Sequence, residues 1–363
     1  MANLLDRNLY GYTYSKHNDV DSIGIQYHIT NLCDLRCKHC YMGGERISDE
    51  LSKEENIKLL HELEKYLKNK NKIASMTITG GDPILSEKFW STLLFIKESK
   101  YMKGTSVLGN SFHLNRTVVE EMKQAGVDFY QVSLDGLEKT HDENRRRGSF
   151  EDAIRALELL HDAGIYTSVM FTVSRSNYEE FIPLYRFVEQ LGCVDVIGFD
   201  KMIPIGSAKM RSDYVSPEEY RDFLYAVYKY IVFEKPVTRF SFKDNLWKLF
   251  LDENGLLSPY QKDQDAIING CLVCNAASIS ILPNGEVMPC RRLDITLDNC
   301  MHKNIEEIFD GDFYEKLLEK KQYEKCNQCD LFSYCRGCLA IKYSTSRDLM
   351  AEDVYCWRKF DEK

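Results

Sequence analysis

The sequence predicts an α/β chain: a partial (β/α)6 barrel followed by a small cysteine-rich C-terminal domain. Strand-like runs of Val, Ile, Thr, Phe and Tyr alternate with helical runs whose apolar residues recur at three- and four-residue spacing. Such βα succession implies a parallel sheet with helices outside it. All thirteen cysteines except Cys193 and Cys300 fall into two groups, one just after the first strand and one beyond residue 270.

Residues 1–22 are polar with several tyrosines and read as an N-terminal extension, too short for a separate module. Strands are expected at 24–30, 75–79, 104–109, 129–134, 166–174 and 195–203. Helices are expected at 52–69, 87–100, 115–125, 150–163, 178–191 and 217–233. Ser52 with Glu55, Ser149 with Asp152 and Ser216 with Glu219 read as capping boxes, and Gly126, Gly164 and Gly192 as helix stops. The barrel is therefore placed at 23–235. Residues 236–270, with Pro236, Gly255 and Pro259 and weak periodicity, read as a linker, and 271–363 as the second domain.

The chain has 363 residues, and no apolar run approaches the ~20 residues of a membrane span. Its first residues lack a basic segment followed by an apolar one, so the expectation is a cytoplasmic protein without a membrane role. A net charge of -9 gives no general support for a nucleic-acid partner. Thirteen cysteines in a reducing compartment point to metal or redox centres over disulfides.

Cys33, Cys37 and Cys40 lie on a loop leaving the first strand, at the strand end where barrel sites are built. Three sulfurs on a four-iron cluster leave one iron open for chemistry. A zinc site with His39 as fourth ligand, or three buried thiols, fits the same spacing. After the second strand, Gly80-Gly81-Asp82-Pro83 combines backbone that can approach a ligand with a carboxylate. Ser133 and Asp135 share one side of the fourth strand by alternation.

With Tyr41 after the last cysteine, Cys33-x3-Cys37-x2-Cys40 resembles the signature of the radical S-adenosylmethionine (radical SAM) superfamily. The resemblance implies that these cysteines hold a 4Fe-4S cluster. S-adenosyl-L-methionine (AdoMet) would chelate the open iron and be cleaved to a 5'-deoxyadenosyl radical. It implies cofactor contacts from Gly80, Gly81 and Asp82, where relatives have Gly-Gly-Glu-Pro, and from Asn110, Ser133 and Asp135. Arg145, in a segment like His-Asp-x-x-Arg-Gly-x-Gly-Ser-Phe, would face the cofactor carboxylate. Relatives often carry Arg where this chain has Lys201.

The C-terminal group resembles the SPASM domain, which binds two auxiliary 4Fe-4S clusters, for three clusters in all. The family's interleaved pattern would give one cluster Cys271 or Cys274 or both, Cys290 and Cys338, and the other Cys326, Cys329, Cys335 and Cys356. An Asn284-Gly285 hairpin turn would deliver Cys290. Four-cysteine zinc sites are the alternative. Cys300 is left as a candidate catalytic thiol and Cys193 as core.

These likenesses imply a peptide-modifying enzyme that abstracts hydrogen from a ribosomally made precursor to form a thioether, carbon–carbon or related bond. Expected partners are the precursor peptide, a separate leader-recognition protein, and an electron donor such as flavodoxin or ferredoxin. The alternatives are a cofactor-building enzyme acting on a modified haem or redox cofactor, a sulfatase-maturing type of enzyme, or a metal scaffold without turnover. Arg291, where sulfatase-maturing relatives place an Asp base, argues against that chemistry. With Arg292 it would face an acidic or carboxylate substrate, or else be surface charge.

Overall fold

The computed structural model describes residues 22–43, 49–257, 273, 278–317, 319–332 and 335–360. The predicted alternation folds as β1 (Ser22–Thr30), α1 (Lys53–Asn69), β2 (Ile73–Gly80), α2 (Phe89–Glu98), β3 (Met102–Leu108), α3 (Arg116–Gln124) and β4 (Val127–Ser133). It continues through α4 (Glu138–Asn144), α5 (Ser149–Asp162), β5 (Tyr166–Val173), α6 (Phe181–Leu191), β6 (Val196–Lys201) and α7 (Pro217–Glu234). β1 to β6 pair in parallel in chain order. Alternation divides each strand between two environments. Ile25, Tyr27, Ile78, Val107, Val132, Phe171 and Phe199 are buried, while Gln26, Thr79, Gln131, Ser133, Thr172 and Asp200 line an open cavity. The apolar core lies between sheet and helices, and the concave face is left for polar chemistry.

The capping boxes of α1 and α7 form as expected: the Glu55 amide donates to Ser52 Oγ at 3.2 Å and the Glu219 amide to Ser216 Oγ at 3.1 Å. The one expected at Ser149 and Asp152 does not. Ser149 is already helical, and Asp142 of α4 caps α5 from outside, accepting from the Phe150 amide at 2.9 Å and Ser149 Oγ at 3.3 Å. Asp152 is instead paired with Arg146 and Arg155.

The stretch expected to be a linker contributes a seventh parallel strand, β7 (Arg239–Ser241), and α8 (Leu246–Glu253). Leu246 to Leu251 are all buried, so α8 packs into the core on nearly every side. Trp247 lies 5.7 Å from Phe240 and 6.2 Å from Phe199, ring centre to ring centre, which ties this segment to the barrel core.

At the other edge, β8 (Ser278–Ile281) pairs in parallel with β1, and β9 (Glu286–Met288) returns antiparallel through the expected Asn284-Gly285 turn. With β10 (Asp298–Asn299) the result is one ten-stranded sheet, ordered β10-β9-β8-β1 and on to β7. The cysteine-rich segment therefore shares its sheet with the barrel. It ends in α9 (Ile305–Phe309), α10 (Phe313–Lys316) and α11 (Leu339–Ser346). Among the described residues, no helix is long and apolar enough to cross a membrane.

Candidate functional site: a three-cysteine cavity and a smaller four-cysteine cavity

The loop after β1 is pressed into shape from two sides. At the end of β2, the Gly81 amide donates to the Thr30 carbonyl at 2.9 Å and the Asp82 amide to the Leu32 carbonyl at 2.6 Å. A Cβ on Gly80 would sit 2.2 Å from the Thr30 oxygen, and one on Gly81 2.1 Å from the Leu32 oxygen. Only glycine permits that approach. From the far side, Ser207 donates its amide to the Cys40 carbonyl at 2.9 Å. Gly206, at φ +56°, lies where a Cβ would come within 2.5 Å of the Cys40 and Tyr41 oxygens.

This loop opens onto a cavity of about 440 Å³ at the C-terminal ends of the strands. Cys33, Cys37, Cys40, Gly80, Gly81, Asn110, Ser133 and Arg145 all line it, so the fold brings most of the predicted residues together. Two it does not. Asp82 is 1% exposed, its carboxylate lies against Gly109, and burial pushes its pKa up to about 7. Asp135 lies two residues beyond the end of β4, where alternation has ended, and is fully buried behind the wall.

Asp135 acts on the cavity through Arg145. It accepts from Arg145 Nε at 2.5 Å and the Thr172 amide at 3.1 Å. Arg145 in turn places Nη1 3.7 Å from Cys37 Sγ and Nη2 3.3 Å from His39 Nε2. Burial opposes the Asp135 charge, but Arg145 and His39 overcome it and hold the carboxyl well below the usual range. Burial brings His39 down to about 4, so its imidazole is neutral near pH 7.

The opposite wall is charged, and sequence reading missed half of it. Asp200 Oδ2 accepts from Lys243 Nζ at 2.6 Å and lies 3.1 Å from Arg292 Nη1. Arg291 sits 5.7 Å over the Tyr41 ring. Cys290, delivered by the hairpin, completes this wall, so Arg291 and Arg292 belong to the cavity and not to the outer surface. Asp200 and Lys243 stand at the ends of β6 and just past β7; strand-end position was the signal for Asp200, while the unrecognised β7 concealed Lys243. Lys201 is structural: it pairs with Asp244 at 2.9 Å and Asp353 at 3.9 Å, tying β6 to the C-terminal segment.

Cys326, Cys329, Cys335 and Cys356 line a second, small cavity with Leu246, Leu249 and Leu331. Cys290 and Cys338 both neighbour Arg292. Cys271 and Cys274 lie outside the described residues. Cys300 is not in either cavity; its amide bonds the Gly285 carbonyl at 2.9 Å, and burial pushes its thiol up to about 12. Cys193 is buried core, as read.

The donor set fits iron-sulfur clusters better than zinc. Sulfurs sharing one zinc at about 2.3 Å would sit about 3.8 Å apart. Among the described residues, no three cysteine sulfurs lie mutually within 4.8 Å. His39 Nε2, the expected fourth zinc ligand, is engaged by Asp135 and Arg145. A glycine-walled cavity beside three sulfurs, with four more cysteines lining a second, smaller cavity, gives the chain donor sets for more than one metal centre.

The comparisons give these centres their family. Residues 27–188 match the radical SAM superfamily, and 271–330 match SPASM, an iron-sulfur cluster-binding domain. The chain is a radical SAM enzyme with a SPASM domain; it binds a 4Fe-4S cluster and AdoMet in the first and auxiliary iron-sulfur clusters in the second. It is 26% identical to the AdoMet-dependent heme synthase of Oleidesulfovibrio alaskensis, over 92% of this chain and 86% of that one. It is also 26% identical to the Bacillus subtilis antilisterial bacteriocin subtilosin biosynthesis protein AlbA, over 93% of this chain and 71% of that one. The fold resembles Streptococcus suis SuiB bound to its precursor peptide SuiA, with a TM-score of 0.72, 18% identity, and coverage of 94% of this chain and 78% of that one.

Proposed function

We propose that the enzyme abstracts hydrogen from a carbon of a ribosomally made peptide, which then forms a thioether, carbon–carbon or related bond. One observation carries this reading: the cavity's size and lining. A volume of about 440 Å³ is at the lower end for one drug-sized ligand. Beside a nucleoside-sized cofactor it leaves room for a side chain and little for a macrocycle. The lining offers amide groups from Gln26 and Gln131, suited to peptide hydrogen bonds, and Arg291 beside the Lys243, Asp200 and Arg292 group, which carries one cation in excess and suits a carboxylate.

In this reading Cys33, Cys37 and Cys40 hold the cluster, and Gly80, Gly81, Asn110, Ser133 and Arg145 surround AdoMet. Bound together, cluster and AdoMet supply a radical able to take hydrogen from an unactivated carbon. Arg145 fixes the loop around Cys37 from behind, and the Asp200, Lys243 and Arg292 group orients the substrate opposite it. A porphyrin substrate is the second reading, favoured by the likeness to a heme synthase over 92% of this chain.

The test is anaerobic incubation of the cluster-loaded enzyme with AdoMet, reductant and synthetic short peptides encoded beside its gene. Formation of 5'-deoxyadenosine with a peptide that has lost two hydrogens is the expected result. Turnover of an iron porphyrin, with all peptides unchanged, would replace this reading by the second.

A further inference from the structure

The two groups of C-terminal cysteines stand in different charge environments. Beside the outer group, Arg358 Nη1 donates to Cys329 Sγ at 3.3 Å, and Lys342 Nζ donates to Cys326 Sγ at 3.7 Å. Arg358 is held in place by Asp252 and Asp330, each at 2.5 Å. Lys342 is wholly buried, with its ammonium 4.7 Å over the Tyr323 ring. Among the described residues no carboxylate lies within ion-pair distance of Lys342. A buried ammonium without a counter-ion is costly. The anion this one faces is the sulfur group.

Near the inner pair, Cys290 and Cys338, Arg292 shares Asp200 with Lys243, and Lys201 pairs with Asp244. Asp353, which accepts from the Cys338 amide, also lines the cavity of the outer four cysteines. Net local charge and N–H donation to sulfur are among the factors that set a cluster's potential, and an uncompensated positive charge in a low-dielectric site acts with little screening.

We infer that Lys342 and Arg358, by donating to its sulfurs, raise the reduction potential of the outer auxiliary cluster. This rests on Cys326, Cys329, Cys335 and Cys356 being the outer ligands.

The experiment is a mediated redox titration of the full, cluster-loaded chain, followed by electron paramagnetic resonance. The outer signal is identified as the one lost in Cys329→Ser. Lys342→Met is expected to lower its reduced-to-oxidised ratio about tenfold at fixed poise, a shift of about 59 mV for a one-electron couple. The other two signals serve as internal references and should stay in place. Arg358→Gln should shift the same signal in the same direction by less, because Arg358 is partly exposed, and Arg358→Lys should restore most of it. An unmoved outer midpoint in Arg358→Gln and in Lys342→Met, with iron content retained, overturns the inference. If Lys342→Met does not hold iron, the Arg358→Gln and Arg358→Lys pair decides alone. Survival of every signal in Cys329→Ser overturns it at its premise, the ligand set, and leaves the proposed peptide chemistry untouched.

Discussion

The loop of Cys33, Cys37 and Cys40 and the group of Cys326, Cys329, Cys335 and Cys356 use the same ligand in opposite surroundings. The first faces a polar, open cavity, backed by glycine and by a neutral imidazole. The second is enclosed by leucines, with cations aimed at its sulfurs. Thiolate count and spacing mark both as metal centres, but only the surroundings separate a place where substrate meets chemistry from a place that stores charge.

The largest break in this comparison comes from Cys33→Ala, Cys37→Ala or Cys40→Ala. Each should abolish 5'-deoxyadenosine formation, measured by chromatography, while most of the bound iron remains because the C-terminal sulfurs are intact. Undiminished cleavage would remove the open-site assignment. Next comes Gly81→Ala, whose Cβ would meet the Leu32 oxygen at 2.1 Å. Displacing the cysteine loop by about 1 Å should slow cleavage about a hundredfold, and a rate within a few-fold of the parent would show that the turn yields.

Arg145→Ala tests the backing. It strands the buried Asp135 carboxylate, so the apoprotein should lose about 3–5 kcal/mol in urea unfolding, and AdoMet should bind more weakly. Asp135→Asn in the same chain should recover part of the stability; an unchanged Kd for AdoMet would take Arg145 out of the cofactor site. The smallest effect is expected at a helix cap behind the cavity wall, where Asp142 holds Ser149. Asp142→Ala removes the cap of α5 at a cost of about 1 kcal/mol. Burial works against the Asp142 charge, but the Gly148 and Phe150 amides hold its pKa below the ordinary value. The cap's contribution is therefore present above about pH 4 and lost as pH falls through the folded-state value. Parent and variant should converge in acid.

Much of this was legible in residues. Periodicity located six strands and their helices, because each βα unit buries one face of a regular element. Spacing set the cysteines into two groups, while only the family resemblance divided the C-terminal ones; Cys326, Cys329, Cys335 and Cys356 line one cavity. What escaped had physical reasons. β7 is three residues long and α8 only eight, with Lys248 among its buried residues, too little chain for a period to stand out. Asp142 caps a helix it does not belong to, which no local pattern of the Ser149 type can reveal. Asp135 lost its alternation because the strand ends at Ser133, and the Asp200, Lys243 and Arg292 group is assembled from three separate elements.

The pairing of β1 with β8 has a consequence in time. Ser280 Oγ reaches Gln26 Oε1 across 254 residues of chain. On a ribosome adding 5–20 residues each second, that separation is roughly 13 to 50 seconds of synthesis. Throughout it, the strand that carries the cysteine loop has one edge unpaired, a template for wrong partners. Gly206, which shapes the loop from the other side, also emerges late. A nascent chain that ends before residue 278 thus carries its cysteine loop on a half-paired strand, the kind of edge a chaperone would cover.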